Sequence, residues 1–554
     1  MTRSPVVING ATSTGKEWRR RVRSIRCRRQ RGIMRLVGAD LTLRRSAPSA
    51  NATFAPKRQH YLLKMWRFSC LALLVQFAVL VAFSQKQYSR FDLSIDFAQA
   101  NQAAWLITHG HFVPTSTIHN QPFLDDHFSL IMWPVALIYA LYPHGITLLV
   151  LQDIAGVLAE MIALLWITEV VGRRFSSEDV RWTRVSGRAL ILGALVLLLG
   201  NPWFYQAAFS DFHVEAFTTV FALLALRYAW HDRMVAAAAW CVPLIACGDL
   251  GGLFLIGLGL SLLLMKRQRW VWGAGGIVVG WGWVQLADLL GVANNSVLSG
   301  YSYLLSGNSS VTVHVTFTSL MIALVAHPDR WLRVVWERKS LIYENLIPTG
   351  LIGLFSGWAV GIEIVIFSGS AIILPLVYLQ SGFQNLPGYL IVLVGSGIVF
   401  TRLAASPRLG VRRLSAVLGI LIVIQSVAYG IATIPTYPSQ WITFTEKQAV
   451  VLDQALHHAG PSTEVIASWA IIGRFSDRQY VRPLYLNPQG FAVNSSTVEF
   501  VISTSGNEIL TPAASRGIVR YIQGTLHAKM VAAGHGVYVF AWHPPHSTRS
   551  VVLS

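Results

Sequence analysis

The sequence predicts a polytopic α-helical membrane protein that ends in a small α/β domain outside the bilayer. Hydrophobic residues make up 53% of the 554 residues and charged residues only 13%, more apolar side chains than a water-soluble protein of this length needs for its core. Apolar runs of about twenty residues, each long enough to cross roughly 30 Å of hydrocarbon, recur from Trp66 onwards. They stop after Ile434, where short alternating segments begin.

The N-terminal tail holds most of the positive charge. Residues 1–67 contain 17 Lys and Arg side chains against Glu17 and Asp40, so this part carries +15 of the total charge of +19. A basic segment before the first apolar run is typical of a cytoplasmic leader that sets topology. The run from Arg19 to Arg35 is also compatible with binding to anionic lipid or RNA. We expect residues 1–64 to form a disordered cytoplasmic tail, and we expect no nucleic-acid partner.

Basic clusters between the apolar runs set the orientation of the chain. They lie at residues 173–188, 266–269 and 408–413, and their excess of Lys and Arg places all three in the cytoplasm with the tail. Residues 65–434 then form a transmembrane domain of eleven crossings. The predicted crossings are residues 66–84, 146–172, 189–206, 214–230, 233–249, 250–265, 271–290, 344–361, 362–380, 389–405 and 414–434.

The same topology gives two long loops on the outer side, residues 85–129 and residues 291–343. Long loops between crossings usually carry function. Residues 130–142 are apolar but too short to cross the bilayer, and Pro143 ends them. We therefore expect this segment to be a helix that lies in the outer interface.

The segment after the last crossing, residues 435–554, is expected on the outer side as an α/β domain. It shows no catalytic motif, so we expect it to pack over the outer loops. Its predicted strands begin near Val465, Val498 and Val537, and its predicted helices span residues 446–458 and 514–532.

Asp92 and Asp96 are the first candidate site residues, in the first outer loop. Their spacing of four places both carboxylates on one face if the segment is helical. Two like charges this close raise one pKa or recruit a cation, so the pair is compatible with a divalent cation. The alternative is an amphipathic helix with a solvated acidic face. Charged groups beside a bilayer are costly unless paired or hydrated, which favours a functional role.

Further acids and imidazoles map to the outer side under the same topology. Asp125, Asp126 and Asp249 also have a plainer explanation, because acids that precede a helix cap it and interact favourably with its dipole. The alternating polar residues Asp211, His213 and Glu215, in an aromatic segment, are hard to explain as packing. Their common side of the membrane nevertheless indicates one site that opens outward. No HxxxH or CxxC spacing occurs and the four cysteines form no recognisable framework, so the sequence predicts no resident metal site. The residues are Asp125, Asp126, His127, Asp211, His213, Glu215 and Asp249.

Arg330 and Arg333 lie in the segment PDRWLRVVWERK of the second outer loop. They are exceptions to the rule that basic residues stay on the cytoplasmic side. Two interpretations remain open: the arginines bind a lipid phosphate, or the segment is a basic helix that lies on the membrane surface.

Several segments carry a family resemblance. They are DFAQANQAAWLITHGH from Asp96, DDHFSLIMWPVALIYALYPHGITLLVLQD from Asp125 and SDFHVEAF from Ser210, and VIASWAIIGRFSDRQYVRPLY from Val465 is similar to the family's extracytoplasmic ending. From about residue 88 to about residue 540 the chain resembles the bacterial membrane proteins labelled domain of unknown function 2079, within the type C glycosyltransferase (GT-C) superfamily. The resemblance implies a GT-C-like helical bundle.

That resemblance also implies an enzyme that moves a sugar from a polyprenyl-phosphate donor to an acceptor outside the cytoplasmic membrane. GT-C enzymes place an essential Asp in the first outer loop, and Asp96 matches that position, with Gln102 and Trp105 following it. The hypothesis makes Asp96 the general base. Many relatives have Lys-Glu-Asp where this chain has Cys247, Gly248 and Asp249.

The remaining candidates receive supporting roles in this hypothesis. Arg330 or Arg333 neutralises the departing phosphate. The others position sugar hydroxyls or a divalent ion, with Asp92 as a neighbour of the base; they are Asp92, Gln102, Asp126, His127, Asp211, His213, Glu215 and Asp249.

Two other classes of function stay open. A transporter or lipid flippase predicts acids near the bilayer midplane and an internal repeat, whereas the candidates above lie at the ends of crossings. A non-enzymatic envelope scaffold predicts polar clusters that stay dispersed. Convergence of Asp96, His127, Asp211 and His213 within roughly 10 Å would favour the enzyme.

Overall fold

A computed structural model describes most of the chain from residue 56 onwards. The described residues are 56–126, 128–175, 181–290, 298–308, 313, 315–374, 382–485, 490–505, 510–545 and 550–552. Nearly all of the predicted tail, and His127 among the candidate site residues, lie outside them.

The part of the chain before the C-terminal sheet is almost entirely helical. Its first helices are α1 (Pro56–Ser89), α2 (Ile95–Thr108), α3 (Phe123–Asp126), α4 (Met132–Tyr139), α5 (Ile146–Phe175), α6 (Arg181–Leu199), α7 (Pro202–Phe209), α8 (Glu215–Trp230), α9 (Met234–Ala246), α10 (Asp249–Met265) and α11 (Trp270–Leu289). The later helices are α12 (Ser302–Ser306), α13 (Phe317–Ala326), α14 (Pro328–Glu337), α15 (Lys339–Leu346), α16 (Val360–Ile372), α17 (Gly382–Ala404), α18 (Leu409–Thr433) and α19 (Tyr437–Trp441).

Within the described residues, five helical segments are long and apolar enough to cross a membrane. Four shorter apolar helices accompany them. The described helices are therefore apolar enough for a membrane protein, whereas the predicted count of eleven crossings is not confirmed. The five segments are Met65–Ser89, Ile146–Phe175, Val185–Phe209, Asn385–Ala404 and Leu409–Trp441.

The crossing predicted at residues 344–361 does not form as one helix. Helix α15 ends at Leu346, and two short 3-10 turns follow. Gly350 and Gly357 have φ angles of +84° and +74°, a backbone conformation that glycine adopts without strain and that interrupts a helix. Between them, a Cβ on Gly353 would lie 1.9 Å from the carbonyl oxygen of Val392, so the backbone packs directly against α17. The segment predicted as a helix is therefore an irregular chain that packs closely against α17.

Helix α4 forms where the interfacial helix was predicted, although only over Met132–Tyr139. Leu137 is 73% exposed and Leu141, just beyond the helix, is 84% exposed. Apolar side chains that face outward in this way are typical of a helix that contacts lipid. Its position in the outer interface stays a prediction.

Helix α5 buries two acids that the sequence analysis did not rank. Glu160, near the middle of the helix, is fully buried beside Gln76 and Tyr205. Asp153, two turns earlier, is also buried, and the Ser84 hydroxyl donates to its carboxylate at 2.9 Å. Acids inside a span are uncommon and usually functional, so these two bear on the transporter alternative.

The C-terminal segment forms the predicted sheet. The strands are β3 (Glu464–Ser468), β4 (Val481–Leu484), β6 (Val498–Ser503), β7 (Lys529–Gly534) and β8 (Val537–Trp542). The order in the five-stranded sheet is β4-β3-β6-β8-β7, with β3 parallel to β4 and β6 and the other pairs antiparallel. Helices α20 (Glu446–His458) and α21 (Pro512–Gly524) accompany the strands, and α21 ends before the predicted limit of 532 because β7 begins at Lys529. Two small two-stranded pairs join β1 (Thr115–Ser116) to β2 (Gln121–Pro122) and β5 (Phe491–Ala492) to β9 (Ser550–Val551).

This sheet shares its hydrophobic core with the first loop. Phe91, Ile95, Ala98 and Ile118 pack in one buried cluster with apolar residues of α20 and of strands β3, β4, β6 and β8. The backbone N–H of Gly473 also donates to the carbonyl of Leu93 at 2.9 Å. The loop that carries Asp96 is therefore held by the sheet. The boundary of a separate domain at residue 435 stays a prediction.

Candidate active site

Asp96 lies in the first turn of α2, where the N-terminal end of the helix dipole favours a negative charge. Its side chain is 56% exposed, so an incoming molecule has access to it. Ser94, immediately before the helix, has extended backbone and does not cap α2 with its side chain. Its hydroxyl is instead used in a contact with Asp211, which joins the first loop to the segment between α7 and α8.

Asp211 fixes the position of that segment. Its buried carboxylate accepts the backbone N–H of Ser94 at 2.9 Å and also the Ser94 hydroxyl. Burial raises the pKa of Asp211 to about 6, assisted by the charge of Asp96 and opposed by the Ser94 hydrogen bonds and His213. With its oxygen engaged and its side chain closed off from solvent, Asp211 positions its neighbours.

His213 is the cation beside Asp96. Its Nε2 lies 3.6 Å from Asp96 Oδ2, its Nδ1 lies 2.6 Å from the carbonyl oxygen of Asp211, and its backbone N–H donates to Gln152 at 2.7 Å. Burial acts to lower the pKa of His213, but Asp96, Glu215 and Asp211 outweigh it and raise the pKa to about 9. At neutral pH the ring is therefore an imidazolium held against an accessible carboxylate.

A second acid–imidazole pair lies in the same loop. His119 Nδ1 forms a short ion pair with Asp126, whose carboxylate is at the end of α3. The hydrogen bond to Asp126 raises the pKa of His119 despite partial burial, and the charge of Asp96 adds to this effect. The negative charge of Asp96 therefore helps to raise the pKa of both His119 and His213. Sequence reasoning missed His119, because it lies in a loop without periodicity or a recognisable motif.

The structure brings Asp92 to a different partner. Its buried Oδ1 accepts the backbone N–H and the hydroxyl of Thr443, each at 2.7 Å, and the backbone N–H of Phe444 at 3.2 Å. Burial raises the pKa of Asp92, and these hydrogen bonds oppose the increase. The predicted face shared with Asp96 does not form because α2 starts only at Ile95. Asp92 instead ties the first loop to the segment that leads into the sheet.

Gln102, predicted to bind substrate, is also fully engaged. Its oxygen accepts the Ser116 hydroxyl at 3.0 Å and the Thr117 backbone N–H at 3.2 Å. Its amide nitrogen donates to the Thr117 hydroxyl at 2.8 Å and to the Gln479 carbonyl at 3.0 Å. The side chain is completely buried, so it joins α2, the β1–β2 pair and the sheet.

We expect Gln102→Leu to lower the free energy of unfolding by about 2–4 kcal/mol, because it leaves several buried polar groups without partners. Thermal unfolding of the detergent-solubilised protein checks this. The matched control is Gln523→Leu, at an exposed position of α21. Equal melting temperatures for the two variants would contradict the structural role and return Gln102 to the candidates for substrate binding.

The other candidates occupy separate positions. Glu215 is the first residue of α8 and acts on His213 through its charge. Asp249 is the first residue of α10, and its side chain is outside the described part of the structure. Arg330 donates to the carbonyl oxygens of Leu304 and Leu305, whereas Arg333 is exposed on α14. The structure therefore does not place these arginines in the Asp96 cluster.

Among the described side chains, no group of three or more His, Cys, Asp or Glu residues is arranged to hold a metal ion. The divalent cation that the Asp92 and Asp96 spacing allowed therefore has no such ligand set in this part of the chain.

Comparisons with known proteins identify a family, and solved structures with a distant likeness include the following example. A family model described as a predicted membrane protein (DUF2079) matches residues 84–516. The crystal structure of ArnT from Cupriavidus metallidurans bound to undecaprenyl phosphate aligns with 84% of this chain and 97% of its own, at 14% identity and a TM-score of 0.42. A likeness at this level carries no inference about fold or ligand. The chain matches no curated protein.

Proposed function

The chain belongs to the DUF2079 family of predicted membrane proteins, and from the acid–imidazole cluster on its first loop we propose that it is a membrane glycosyltransferase. It moves a sugar from a polyprenyl-phosphate donor to an acceptor on the outer side of the cytoplasmic membrane. The observation that carries the proposal is the accessible Asp96 carboxylate, 3.6 Å from the largely buried imidazolium of His213. Asp96 follows the span that ends at Ser89, and His213 follows the span that ends at Phe209. The sequence resemblance to GT-C enzymes supplies the reaction class.

In the proposed reaction, Asp96 takes the proton from a hydroxyl group of the acceptor, and the oxygen of that hydroxyl attacks the anomeric carbon of the donor sugar. The bond from that carbon to the phosphate oxygen breaks, the electron pair leaves with the polyprenyl phosphate, and the configuration inverts. His213 orients Asp96 and supplies positive charge against the departing phosphate. This role replaces the one first considered for Arg330, whose guanidinium is bonded to two carbonyl groups.

The ion pair of His119 and Asp126 is proposed to position sugar hydroxyls. Both side chains carry polar atoms in the same loop as Asp96, and they lie close enough for the Asp96 charge to act on His119. Positioning of this kind is needed because water competes as the nucleophile at an exposed site. A scaffold without catalytic function gives no reason for acids and imidazoles to converge.

Transfer is tested with membranes that contain the protein and a panel of labelled polyprenyl-phosphate sugars that covers pentose, hexose and amino-sugar donors. We expect protein-dependent release of the sugar from at least one donor and its appearance in an acid-stable or lipid-linked product. Membranes from cells without the protein give the background. If no donor in the panel is consumed above that background, the glycosyltransferase proposal is wrong.

A transporter or lipid flippase is the second candidate, and a specific observation favours it. Glu160 lies fully buried in the middle of α5, and Glu363 is buried in α16. Transporters use such acids within spans to bind substrate or relay protons. These residues are distant in sequence from Asp96 and belong to the helical bundle.

Glu160→Gln distinguishes the two candidates. The amide has the same shape and is neutral, so we expect the glycosyltransferase to keep its transfer activity in this variant. A transporter that depends on this carboxyl would lose its transport in proteoliposomes loaded with a labelled lipid-linked sugar. Loss of transport together with intact expression would favour the second candidate. Asp96→Asn is the reciprocal variant, because it should abolish sugar transfer and leave transport by a Glu160-dependent transporter intact.

A further inference from the structure

An open cleft of about 770 Å³ lies away from the Asp96 cluster, at the junction between the helical bundle and the sheet. Lys86 and Arg90 line one side, from the end of α1 and the residues after it. Glu446 and Lys447, at the start of α20, line the other. None of the residues proposed to act in sugar transfer contributes to this lining.

The lining is positively charged. Lys86, Arg90 and Lys447 face a single acid, Glu446. Arg90 Nη2 is paired with Glu446, while its Nη1 is buried and donates to no partner within the described part of the chain. Glu446 is 85% exposed, so its carboxylate is at the rim and an incoming anion can displace it. The N-terminal end of α20 adds the favourable end of a helix dipole.

The cleft lies where two of the membrane-spanning segments end. Lys86 is in the last turn of α1, whose span ends at Ser89, and Ile442 follows the last residue of the span Leu409–Trp441. Two spans thus end at the cleft, at the depth where lipid headgroups lie. Ile442 and Phe444 add apolar surface to the same lining. A basic cleft at this depth, with apolar helices below it, matches an amphiphile with a negative head.

We propose that this cleft binds the phosphate of an anionic membrane lipid. The headgroup phosphate contacts Lys86, Arg90 and Lys447, and the acyl chains lie along the ends of the two spans. The site is on the same membrane surface as Asp96, because Lys86 is in the last turn of α1 and Arg90 and Asp96 follow its end at Ser89. The proposal does not depend on whether the chain transfers a sugar.

The test uses the delipidated full-length protein in detergent, titrated with phosphatidylglycerol or phosphatidylcholine and followed by native mass spectrometry. We expect phosphatidylglycerol to be retained in preference to phosphatidylcholine. The double variant Lys86→Gln/Lys447→Gln should bind phosphatidylglycerol roughly thirtyfold more weakly, as expected for the loss of two cations near an anionic headgroup. Lys529→Gln, at an exposed position of β7 outside the cleft, is the matched control and should bind as the unmodified protein does.

A gain of affinity provides a second readout that misfolding cannot imitate. Glu446→Gln removes the competing carboxylate and releases Arg90, so we expect it to strengthen binding of phosphatidylglycerol several-fold. Equal retention of both lipids, or unchanged affinity in the double variant, would overturn the proposal. Inorganic phosphate alone is the remaining probe: if it protects the protein from thermal unfolding as well as phosphatidylglycerol does, the cleft binds a soluble anion and the lipid assignment is wrong.

Discussion

Replacing Asp96 with Asn is expected to reduce sugar transfer by about a thousandfold, because the amide keeps the shape of the side chain but accepts no proton from the acceptor hydroxyl. Asp96 is more than half exposed and lies beside His213 rather than in a buried network. Its loss should therefore lower the free energy of unfolding by no more than about 1–2 kcal/mol, the contribution expected of its ion pair with His213. Initial rates with the labelled donor found active in the membrane assay give the measurement.

The matched control is Asp125→Asn, which removes an exposed carboxylate from the same loop. We expect this variant to transfer sugar at the unmodified rate. An Asp96→Asn protein with normal activity would remove Asp96 as the general base. Equal losses in both variants would indicate that the negative charge of the loop matters, and that no single base is required.

The long elements of the fold were predictable because bilayer thickness sets the length of an apolar run. The spans at Ile146–Phe175 and Leu409–Trp441 follow directly from this constraint. The run at residues 344–361 is apolar too, but left-handed glycines and close backbone contact with α17 break it. Hydropathy depends on the polarity of the side chains and not on the path of the backbone. It therefore indicates neither the left-handed glycines nor the close contact with α17.

The candidate site was predictable in part. Placing basic clusters on one side brought Asp96, Asp211 and His213 to a common side, and the structure joins them through Ser94 and the 3.6 Å contact. Asp92 and Gln102 were assigned to the site because they are near Asp96 in sequence. Their true partners, Thr443 and Gln479, are 351 and 377 positions away along the chain, and no local pattern indicates such contacts.

Glu160 illustrates a different error, because the sequence does show an acid inside a long apolar run. The acids singled out from the sequence lie at the ends of crossings, and Glu160 was not among them. Its burial in the middle of α5 is the observation that favours the transporter alternative. An acid inside a span is costly unless it has a function, so Glu160 belongs with the intramembrane acids that a transporter predicts.

His213→Gln is expected to lower sugar transfer by about a hundredfold, because it removes the positive charge that faces both Asp96 and the departing phosphate. The pKa of His213 is raised from 6.5 to about 9, so the imidazolium is the form present at neutral pH. We expect the rate of the unmodified enzyme to fall as pH rises above about 9. The variant should lack this decrease.

The same pair makes a prediction about stability that does not depend on any enzymatic activity. A histidine whose pKa is higher in the folded state contributes stability that is fully present below about pH 6.5 and is lost as pH rises through about 9. Because water screens the exposed Asp96, we expect a contribution of about 1–2 kcal/mol. The melting temperature of the unmodified protein should therefore fall between pH 6.5 and 9.5 more steeply than that of His213→Gln. His457→Gln, with an 80% exposed ring on α20, is the control and should follow the unmodified protein. Parallel curves for all three proteins would show that His213 is not charged by its neighbours, and the electrostatic role proposed for it in transfer would then have no basis.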